Sequence, residues 1–456
     1  MQLLTELNEP DMPGPTDANI IYLTAEAGGM FCGSCLHDNA LAAALTKAGW
    51  QVQLVPTYTP IRTDESDVSV DHVLFGGLNV YLQQKIPLFR HLPAWVDSFL
   101  DRPSLIRRVT ASAMNTDAKT LGSLAHSMLL GEKGNQRKEV GRVCDWLESQ
   151  KPDLLVFSNI LIGGCIETVK RRMNVPVLVT LQGDDVFLDS LQDPWRSQCI
   201  DRIRQITETV DGFIVHSEFF RDYMADYFSI PPEKFHVTPL GLDTTDFESM
   251  DQSVDDTGSK NTSLDEVTIG YLARLAPEKG LANLVDALLL LDLEQLPPVR
   301  LKIAGWLGPD QHAYAEEQWA KLNANGWRDR YEYLGAVDRQ QKLDLLRDID
   351  LFCVPTAYQE PKGLYALEAM AAGVPIVAPN HGAFPELIES SGGGILAAPN
   401  DADALAQQLT ALILDPDRRA SLGRAGRSHV LERRTSTAMA SSTGEVFRSY
   451  LKGEGK

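Results

Sequence analysis

The stretch EPKGLYALEAMAAGVP, Glu360–Pro375, places two carboxylates eight residues apart around the expected start of a helix. Gly363 lets the backbone turn and approach a ligand closely, and the residues from Leu364 to Ala372 are good helix formers without a β-branched side chain. The helix should end at Gly373, because a proline follows two residues later. The stretch therefore predicts a loop, a helix and a sharp stop.

One ligand could contact both carboxylates. From Gly363 to Glu368 the helix rises about 7.5 Å, at 1.5 Å per residue, and the free amides of a helix N-terminus favour an anion such as phosphate. Carboxylates only accept hydrogen bonds, so Glu360 and Glu368 suit sugar and ribose hydroxyls. The spacing fits a sugar nucleotide, although an amphipathic helix with a charged cap explains it equally well.

Outward from this stretch, short β-like runs alternate with helical runs through both halves of the chain, a pattern typical of parallel sheets covered by helices. The expected fold class is α/β, with two such domains and a ligand site in the cleft between them. The predicted strands are Ile20–Thr24, Gln51–Pro56, Leu154–Ser158, Val177–Leu181, Gly212–His216 and Phe235–Pro239, then Val267–Leu272, Arg300–Ala304, Tyr331–Leu334, Leu351–Pro355 and Pro375–Ala378.

The domain boundary is expected near Gly241, just before a polar segment, Glu248–Glu266, that is typical of an exposed linker. We predict an N-terminal domain over residues 1–245 and a C-terminal domain over residues 246–456, whose last helix could cross back to the first. Residues 71–141 interrupt the alternation with long helical stretches. They form either an insertion that faces the acceptor of a transferred group or a simple helical cover over the sheet.

The balance of 42 Lys+Arg against 62 Asp+Glu gives a net charge of −20, which disfavours nucleic acid and anionic lipid as partners. The segment Met1–Asn19 lacks the basic and apolar regions of a signal peptide, and no apolar run approaches the ~20 residues of a membrane span. We expect a cytoplasmic protein with no integral membrane association.

A second cluster, GYLARLAPEKG (Gly270–Gly280), puts Arg274 and Lys279 in a loop that follows a strand and opens a helix. Two cations at the carboxyl edge of a parallel sheet can clamp a diphosphate, and each charge-assisted hydrogen bond contributes ~1.5–3 kcal/mol. Such residues are often plain surface charges. Together with the two carboxylates they favour the clamp.

Metal binding is not expected. The Asp-x-Asp tripeptides at Asp348–Asp350 and Asp401–Asp403 could hold a divalent ion, but the former abuts a strand start and the latter is typical of a helix N-cap. Cys32 and Cys35 form a CxxC with no further cysteine pair nearby, so packing in a glycine-rich loop is favoured over a zinc site or a redox role.

These features resemble the retaining glycosyltransferases of family 4, which have the two-Rossmann GT-B fold. The likeness covers nearly the whole chain. Its specific parts are the Arg274 and Lys279 loop, the Glu-x7-Glu segment from Glu360 to Glu368, the Gly305 loop after Lys302-Ile303-Ala304, Tyr333-Leu334-Gly335, Gly241-Leu242-Asp243 and the pair Gly28-Gly29 after the first strand.

The resemblance implies a role for each of these positions. Arg274 and Lys279 would bind the donor diphosphate, Glu368 the ribose hydroxyls and Glu360 the transferred sugar. The remaining donor contacts would come from Gly28, Gly29, Gly305, the backbone of Gly363 and Leu364, and residues near Leu334 at the base.

The acceptor or sugar would meet Gln182 and Asp184. Relatives commonly have His-Gly where this chain has Gln182-Gly183, and a glutamine can bind a sugar hydroxyl but cannot act as an acid or base. The departing phosphate would then take the acceptor's proton. Glu360 as a covalent nucleophile, as in retaining glycosidases, is the poorer alternative.

The function implied is metal-independent transfer of a hexose, with retention, from a nucleoside-diphosphate sugar to a hydroxyl of a small-molecule or saccharide acceptor. A UDP-sugar is favoured as donor, and no cofactor is expected beside it. Two alternatives remain open: a nucleotide-sugar 2-epimerase on the same fold, and an inactive sugar-nucleotide-binding protein.

Overall fold

In the computed structural model of the chain, two compact units each contain a parallel sheet. The first takes residues up to Val215, Met224–Thr238 and the chain from Thr437, and the second takes His216–Tyr223 and Pro239–Ser436. The structure describes residues 17–25, 33–58, 61, 63–70, 74, 80, 83–84, 118–250 and 266–451.

The sheet of the first unit has the strand order β2-β1-β3-β4-β5-β6, with every neighbouring pair parallel. Ile20 of β1 lies level with Val52 of β2 and Leu154 of β3. Every residue of β3, β4 and β5 is buried, as expected for parallel strands covered on both faces. The strands are β1 Asn19–Thr24, β2 Gln51–Pro56, β3 Leu154–Phe157, β4 Val177–Thr180, β5 Gly212–Val215 and β6 Phe235–Val237.

The sheet of the second unit has the order β12-β11-β10-β7-β8-β9 and is also parallel throughout. Ile269 of β7 pairs with Leu301 of β8 and Leu351 of β10. The loops after β7, β8 and β10 therefore leave the same edge of the sheet. The strands are β7 Val267–Leu272, β8 Val299–Ala304, β9 Tyr331–Tyr333, β10 Leu351–Cys353, β11 Ile376–Pro379 and β12 Gly394–Ala397.

Helices connect the strands in both units. In chain order, the described helices begin with α1 Gly33–Lys47, α2 Ala118–Leu129, α3 Arg137–Gln150, α4 Ile166–Arg172, α5 Asp184–Ser190, α6 Trp195–Thr209, α7 Glu218–Phe228, α8 Thr245–Ser249, α9 Leu281–Leu288 and α10 His312–Ala324. They are followed by α11 Arg339–Asp348, α12 Leu364–Ala371, α13 Phe384–Ser391, α14 Ala402–Ile413, α15 Pro416–Arg433 and α16 Ser436–Leu451. No helix in the described ranges is long and apolar enough to cross a membrane.

The α/β fold class with two Rossmann-like domains is confirmed, and each predicted strand matches an observed one with its ends shifted by at most two residues. The strand that the sequence did not predict is β12. Its run Gly394–Ala397 follows Gly392 and Gly393, and glycines weaken the strand pattern. The segment forms a strand because it pairs with β11, a contact that the local sequence does not indicate.

The last helix, α16, packs within the first unit. Phe447 meets the ring of Trp50 edge-on, with ring centroids 6.0 Å apart, and the Tyr450 hydroxyl lies 2.8 Å from Nε2 of His236. A Cβ on Gly444 would lie 2.9 Å from the Trp50 ring, so the glycine permits this close approach.

Several expectations fall outside the described residues. They concern Gly28, Gly29, Cys32, much of the predicted insertion over residues 71–141, and most of the polar segment Glu248–Glu266.

Candidate functional site

In the second unit, glycines allow the loop that carries Arg274 and Lys279, here called the cation loop, to pack closely against its neighbours. The loop runs from the end of β7 through a short 3-10 helix, Pro277–Lys279, to the start of α9. Gly280 has a φ of 76°, and a Cβ there would lie 1.8 Å from the carbonyl oxygen of Pro355 after β10. A Cβ on Gly305, after β8, would lie 1.8 Å from the Ala273 oxygen. These contacts fix Lys279 beside the loop that carries Glu360.

Glu360 is buried, with 4% of its surface exposed. Its Oε2 accepts hydrogen bonds from the Tyr358 hydroxyl at 2.6 Å, Lys279 Nζ at 2.9 Å and the Tyr365 hydroxyl at 3.0 Å. Lys279 Nζ also donates to the Tyr358 hydroxyl at 2.6 Å and lies 4.7 Å and 5.4 Å from the ring centroids of Tyr358 and Tyr365. Three donors therefore converge on one carboxylate oxygen.

The environment of Glu360 keeps it ionised. Burial acts to raise the pKa of its carboxyl, but the Lys279 charge and the hydrogen bonds from Tyr358, Lys279 and Tyr365 outweigh burial and lower that pKa to about 2. Burial, and next the Glu360 charge, raise the pKa of Tyr365 well above its usual value, so its hydroxyl stays a donor. At neutral pH, Glu360 can only accept hydrogen bonds.

The loop between Glu360 and α12 is held by a further glycine turn. Gly363 has a φ of 68° and is the N-cap of α12, whose first residue is Leu364. Ala383 N donates to the Glu360 carbonyl at 2.8 Å, and a Cβ on Gly382 would lie 2.6 Å from that oxygen. The predicted loop, helix and stop are present, with α12 ending one residue before the predicted Ala372.

Arg274, the other predicted clamp residue, forms an ion pair with Glu278 one turn further on. Its side chain is 39% exposed, compared with 17% for Lys279. The structure thus joins Lys279 to Glu360 directly, while Arg274 remains paired within its own loop.

Glu368 lies on α12 and pairs with a residue that was not predicted from the sequence. Lys342 Nζ of α11 lies 2.6 Å from Glu368 Oε1, and the two side chains are only 10% and 12% exposed. A signal was available in the sequence, because Lys342 lies on the buried face of α11 with Leu343 and Leu346, where a lysine needs a partner.

The loops after β8 and β9 are joined near the predicted base contacts. Gly305 N donates to the Gly335 carbonyl at 2.8 Å, and the Tyr333 hydroxyl donates to the Gly305 carbonyl at 2.9 Å. Leu334, between them, is 38% exposed, which is unusual among the large apolar side chains that the structure describes. Gly305 and Leu334 therefore share one surface of the second unit.

In the first unit, Asp184 begins α5 and binds the backbone. Its Oδ1 accepts from Ile160 N at 2.9 Å and its Oδ2 from Gln182 N at 2.9 Å, and only 1% of the residue is exposed. In this arrangement Asp184 fixes two loops. Its predicted contact with the acceptor or sugar stays a prediction.

A buried carboxylate that was not predicted from the sequence, Asp38 on α1, organises the polar groups near Gln182. It accepts hydrogen bonds from the Tyr22 hydroxyl at 3.1 Å, Thr24 Oγ1 at 2.6 Å and Gln182 Nε2 at 2.9 Å, and lies 3.0 Å from His37 Nδ1. The available signal was the polar run His37-Asp38-Asn39, which precedes the Ala-Leu-rich part of α1.

Gln182 is thereby held in one orientation. Its Nε2 donates both to Asp38 and to the Ser158 carbonyl, at 3.0 Å, which uses the two hydrogens of the amide. Any contact between this side chain and a ligand would have to be made through its carbonyl oxygen.

Asp185, next to Asp184, is a further group that the motifs did not indicate. It is 6% exposed, and no described residue makes a hydrogen bond to its Oδ1. Burial, followed by the charge of Asp184, raises its pKa to about 7, despite the opposing effect of backbone amides. It is a carboxyl that changes charge near neutral pH.

The Asp-x-Asp tripeptides have structural roles. Asp401 caps α14 by accepting from Ala404 N at 2.9 Å, as predicted, whereas Asp348 pairs with Lys302 and Asp350 accepts from Thr268 N. In the ranges that the structure covers, no three His, Cys, Asp or Glu side chains cluster as metal ligands would. Metal independence stays a prediction.

Cys35, the described member of the CxxC, is buried, and its Sγ lies 3.7 Å from the Ala25 carbonyl. This position agrees with the interpretation of Cys35 as a packed thiol.

Comparison with known families identifies the chain. Residues 255–429 match the family Glycosyl transferases group 1, and residues 39–241 match the family Glycosyl transferase 4-like domain. The chain belongs to the group 1 glycosyltransferases of the GT-B, family 4 type. The two matches cover the two halves of this glycosyltransferase, and the Arg274, Lys279, Glu360 and Glu368 positions all lie in the group 1 match.

Two relatives show the breadth of the family. The glycosyltransferase is 27% identical over 274 residues to alpha-maltose-1-phosphate synthase of Mycolicibacterium smegmatis, covering 56% of this chain and 69% of that one. It is 24% identical over 406 residues to D-inositol 3-phosphate glycosyltransferase of Segniliparus rotundus, covering 83% of this chain and 85% of the relative.

Among solved structures, HepE of Anabaena in complex with UDP has a similar fold. The TM-score is 0.64 at 17% sequence identity, over 94% of this glycosyltransferase and 100% of HepE. At this identity the likeness concerns the fold.

Proposed function

We propose that this glycosyltransferase moves a hexose from a UDP-sugar to a hydroxyl of a small-molecule or saccharide acceptor, with retention and without a metal ion or other cofactor. The observation that supports it most is the contact of Lys279 with Glu360. This contact places a cation suited to a diphosphate and an anion suited to sugar hydroxyls side by side.

The diphosphate end is assigned to the cation loop. An ammonium group has three N–H donors; Glu360 and Tyr358 take two of those of Lys279, and the third can meet a phosphate oxygen. Arg274, 39% exposed, can exchange Glu278 for the more strongly charged diphosphate. The amides at the N-terminus of α12 add donors for an anion.

The sugar end is assigned to Glu360. Its Oε2 already accepts three hydrogen bonds, so a sugar hydroxyl would donate to Oε1, whose described contact is a long one, 3.4 Å from Gly363 N. A carboxylate with a pKa of about 2 and several donors is a weak nucleophile. This favours a binding role for Glu360 over the covalent one.

The chemical step then needs no protein base. The bond from the anomeric carbon to the diphosphate oxygen breaks, the acceptor oxygen bonds to that carbon from the same face, and the acceptor proton passes to the departing phosphate. The cations Lys279 and Arg274 stabilise the negative charge that develops on the diphosphate.

The comparisons favour this donor and acceptor class. HepE was solved with UDP, and the relative from Segniliparus rotundus is named for action on an inositol phosphate, a small hydroxylated acceptor. Gln182, through its carbonyl oxygen, is assigned to a hydroxyl of the acceptor or sugar.

Titration calorimetry of UDP, UDP-glucose and GDP tests the donor site. We expect UDP to bind the wild type at least tenfold more tightly than Lys279→Met, since a charge-assisted hydrogen bond is lost. Lys321→Met is the matched control, because Lys321 of α10 pairs with Asp286 of α9 instead of Glu360. Equal affinity of wild type and Lys279→Met for UDP would contradict the assignment of Lys279 to the diphosphate.

Mass spectrometry of reactions with chelator tests the activity. Release of UDP that depends on an added acceptor, with an α-linked product from an α-linked donor, is expected with EDTA present. Isomerised donor in the absence of acceptor would instead support an epimerase, and a need for added Mn²⁺ or Mg²⁺ would contradict metal-independent transfer.

A further inference from the structure

Lys342 and Glu368 form an ion pair in the second unit that joins a predicted site residue to a residue not predicted from the sequence. Lys342 Nζ lies 2.6 Å from Glu368 Oε1, and both side chains are nearly inaccessible. Such a pair loses the hydration of two charges, so it is seldom retained for stability alone.

The contact with Lys342 occupies only one of the two carboxylate oxygens of Glu368. Within the described part of the chain no hydrogen bond reaches Oε2 of Glu368, while its Oε1 is held by Lys342. Glu368 is one turn and a residue into α12, on the helix whose N-terminus lies at Gly363. The second oxygen is therefore available to a ligand bound over that end of the helix.

The element that carries Lys342 is fixed at its start. Asp338 and Gln341 form a capping box at the N-terminus of α11, and Arg339 Nε lies 2.6 Å from Asp246 Oδ2. Leu343 and Leu346 are buried beside Lys342. The ammonium group of Lys342 therefore reaches Glu368 from a capped helix rather than from a loop.

We propose that Lys342 is a positioning residue for nucleotide binding, which holds Glu368 so that its Oε2 accepts hydrogen bonds from the vicinal ribose hydroxyls of the donor. The inference rests on the proposed function and adds to it a residue that the ligand itself need not touch.

The test compares UDP with 2′,3′-dideoxy-UDP by calorimetry. Wild type should prefer UDP by about tenfold to a hundredfold, which corresponds to one or two hydrogen bonds to a charged group. Lys342→Met should lose most of this preference through weaker UDP binding, with the affinity for the dideoxy compound little changed. Lys342→Arg, which keeps a cation, should retain a preference close to that of wild type.

Two controls separate positioning from folding. Lys321→Met should keep the full preference, since Lys321 pairs with Asp286 instead of Glu368. Lys342→Met/Glu368→Gln removes both charges of this ion pair, so it should fold even where Lys342→Met does not, and it should show the same lost preference as Glu368→Gln alone.

A folded Lys342→Met that keeps the wild-type preference would overturn the inference. Wild type that binds both nucleotides equally would also overturn it, because Glu368 would then have no ribose contact to position. Transfer to an acceptor could persist in either case, so these outcomes are distinct from failure of the proposed function.

Discussion

Nζ of Lys279 lies 2.9 Å from Oε2 of Glu360, so the residue assigned to the diphosphate and the residue assigned to the sugar form one ion pair. Under the proposed function, recognition of the two ends of the donor is therefore coupled. A change in either residue alters the charge, the pKa and the hydrogen bonds of the other.

Replacing Lys279 alone should destabilise the second unit. Lys279→Met leaves Glu360 as a buried charge without its cation, and breaking such a pair costs about 3–5 kcal/mol. Denaturant unfolding followed by circular dichroism measures the loss. Lys279→Met/Glu360→Gln should recover most of it, and a single variant as stable as wild type would show that solvent or the two tyrosines satisfy Glu360 unaided.

Glu360 should also make the free energy of unfolding depend on pH in the acidic range. Its folded pKa of about 2 lies below its ordinary value of 4.5, so its contribution is present above pH 4.5 and is lost as the pH falls towards 2. The difference in unfolding free energy between wild type and Glu360→Gln should therefore shrink across that window, by on the order of 3 kcal/mol. A difference that is constant with pH would contradict the environment described.

Tyr365→Phe should weaken sugar recognition more than nucleotide binding. The change removes one of the three donors to Glu360 Oε2 and leaves the ring in place. We expect kcat/KM for the sugar donor to fall about tenfold, the effect of one hydrogen bond to a charged group, with UDP affinity nearly unchanged. Tyr331→Phe, on the edge strand β9, serves as the matched control. An equal loss in UDP affinity would mean that Tyr365 acts on Lys279 instead.

Asp185 should give the opposite pH response to Glu360. Its folded pKa is raised from 3.8 to about 7, so its contribution is fully present below pH 3.8 and is lost as the pH rises through 7. Asp185→Asn cannot ionise, and it should gain stability relative to wild type between pH 4 and 8, by up to about 4 kcal/mol. Parallel stability curves for the two proteins would show that Asp185 is solvated or paired.

The strands and the motif residues were predictable from the sequence because both are local signals. Buried parallel strands appear as short apolar runs, and Glu360, Gly363 and Glu368 lie within one turn-and-helix segment. The partners were not predictable in this way. Lys342 lies 26 residues from Glu368, Lys279 lies 81 from Glu360, and Gln182 lies 144 from Asp38, so each pairing exists only after the sheet order is set.

The tyrosine hydroxyls that donate to Glu360 were also not predictable from local sequence. Tyr365 follows Gly363 by two residues, between Leu364 and Ala366 of α12, where an aromatic ring is expected to pack. Its hydroxyl gains a role only because the preceding loop brings Glu360 next to it. Burial of a polar atom is a tertiary property.

The glycines beneath the cation loop also bear on how this enzyme could be re-engineered. Gly280 and Gly305 seat the loop through main-chain contacts with Pro355 and Ala273, and Leu275 and Ala276 are buried in the core. The path of the backbone there therefore depends little on the exposed side chains of the loop. A directed-evolution library that randomises Pro277 and Glu278 and keeps both glycines, Leu275 and Ala276 should vary charge and shape around the proposed phosphate site while most of its members still fold.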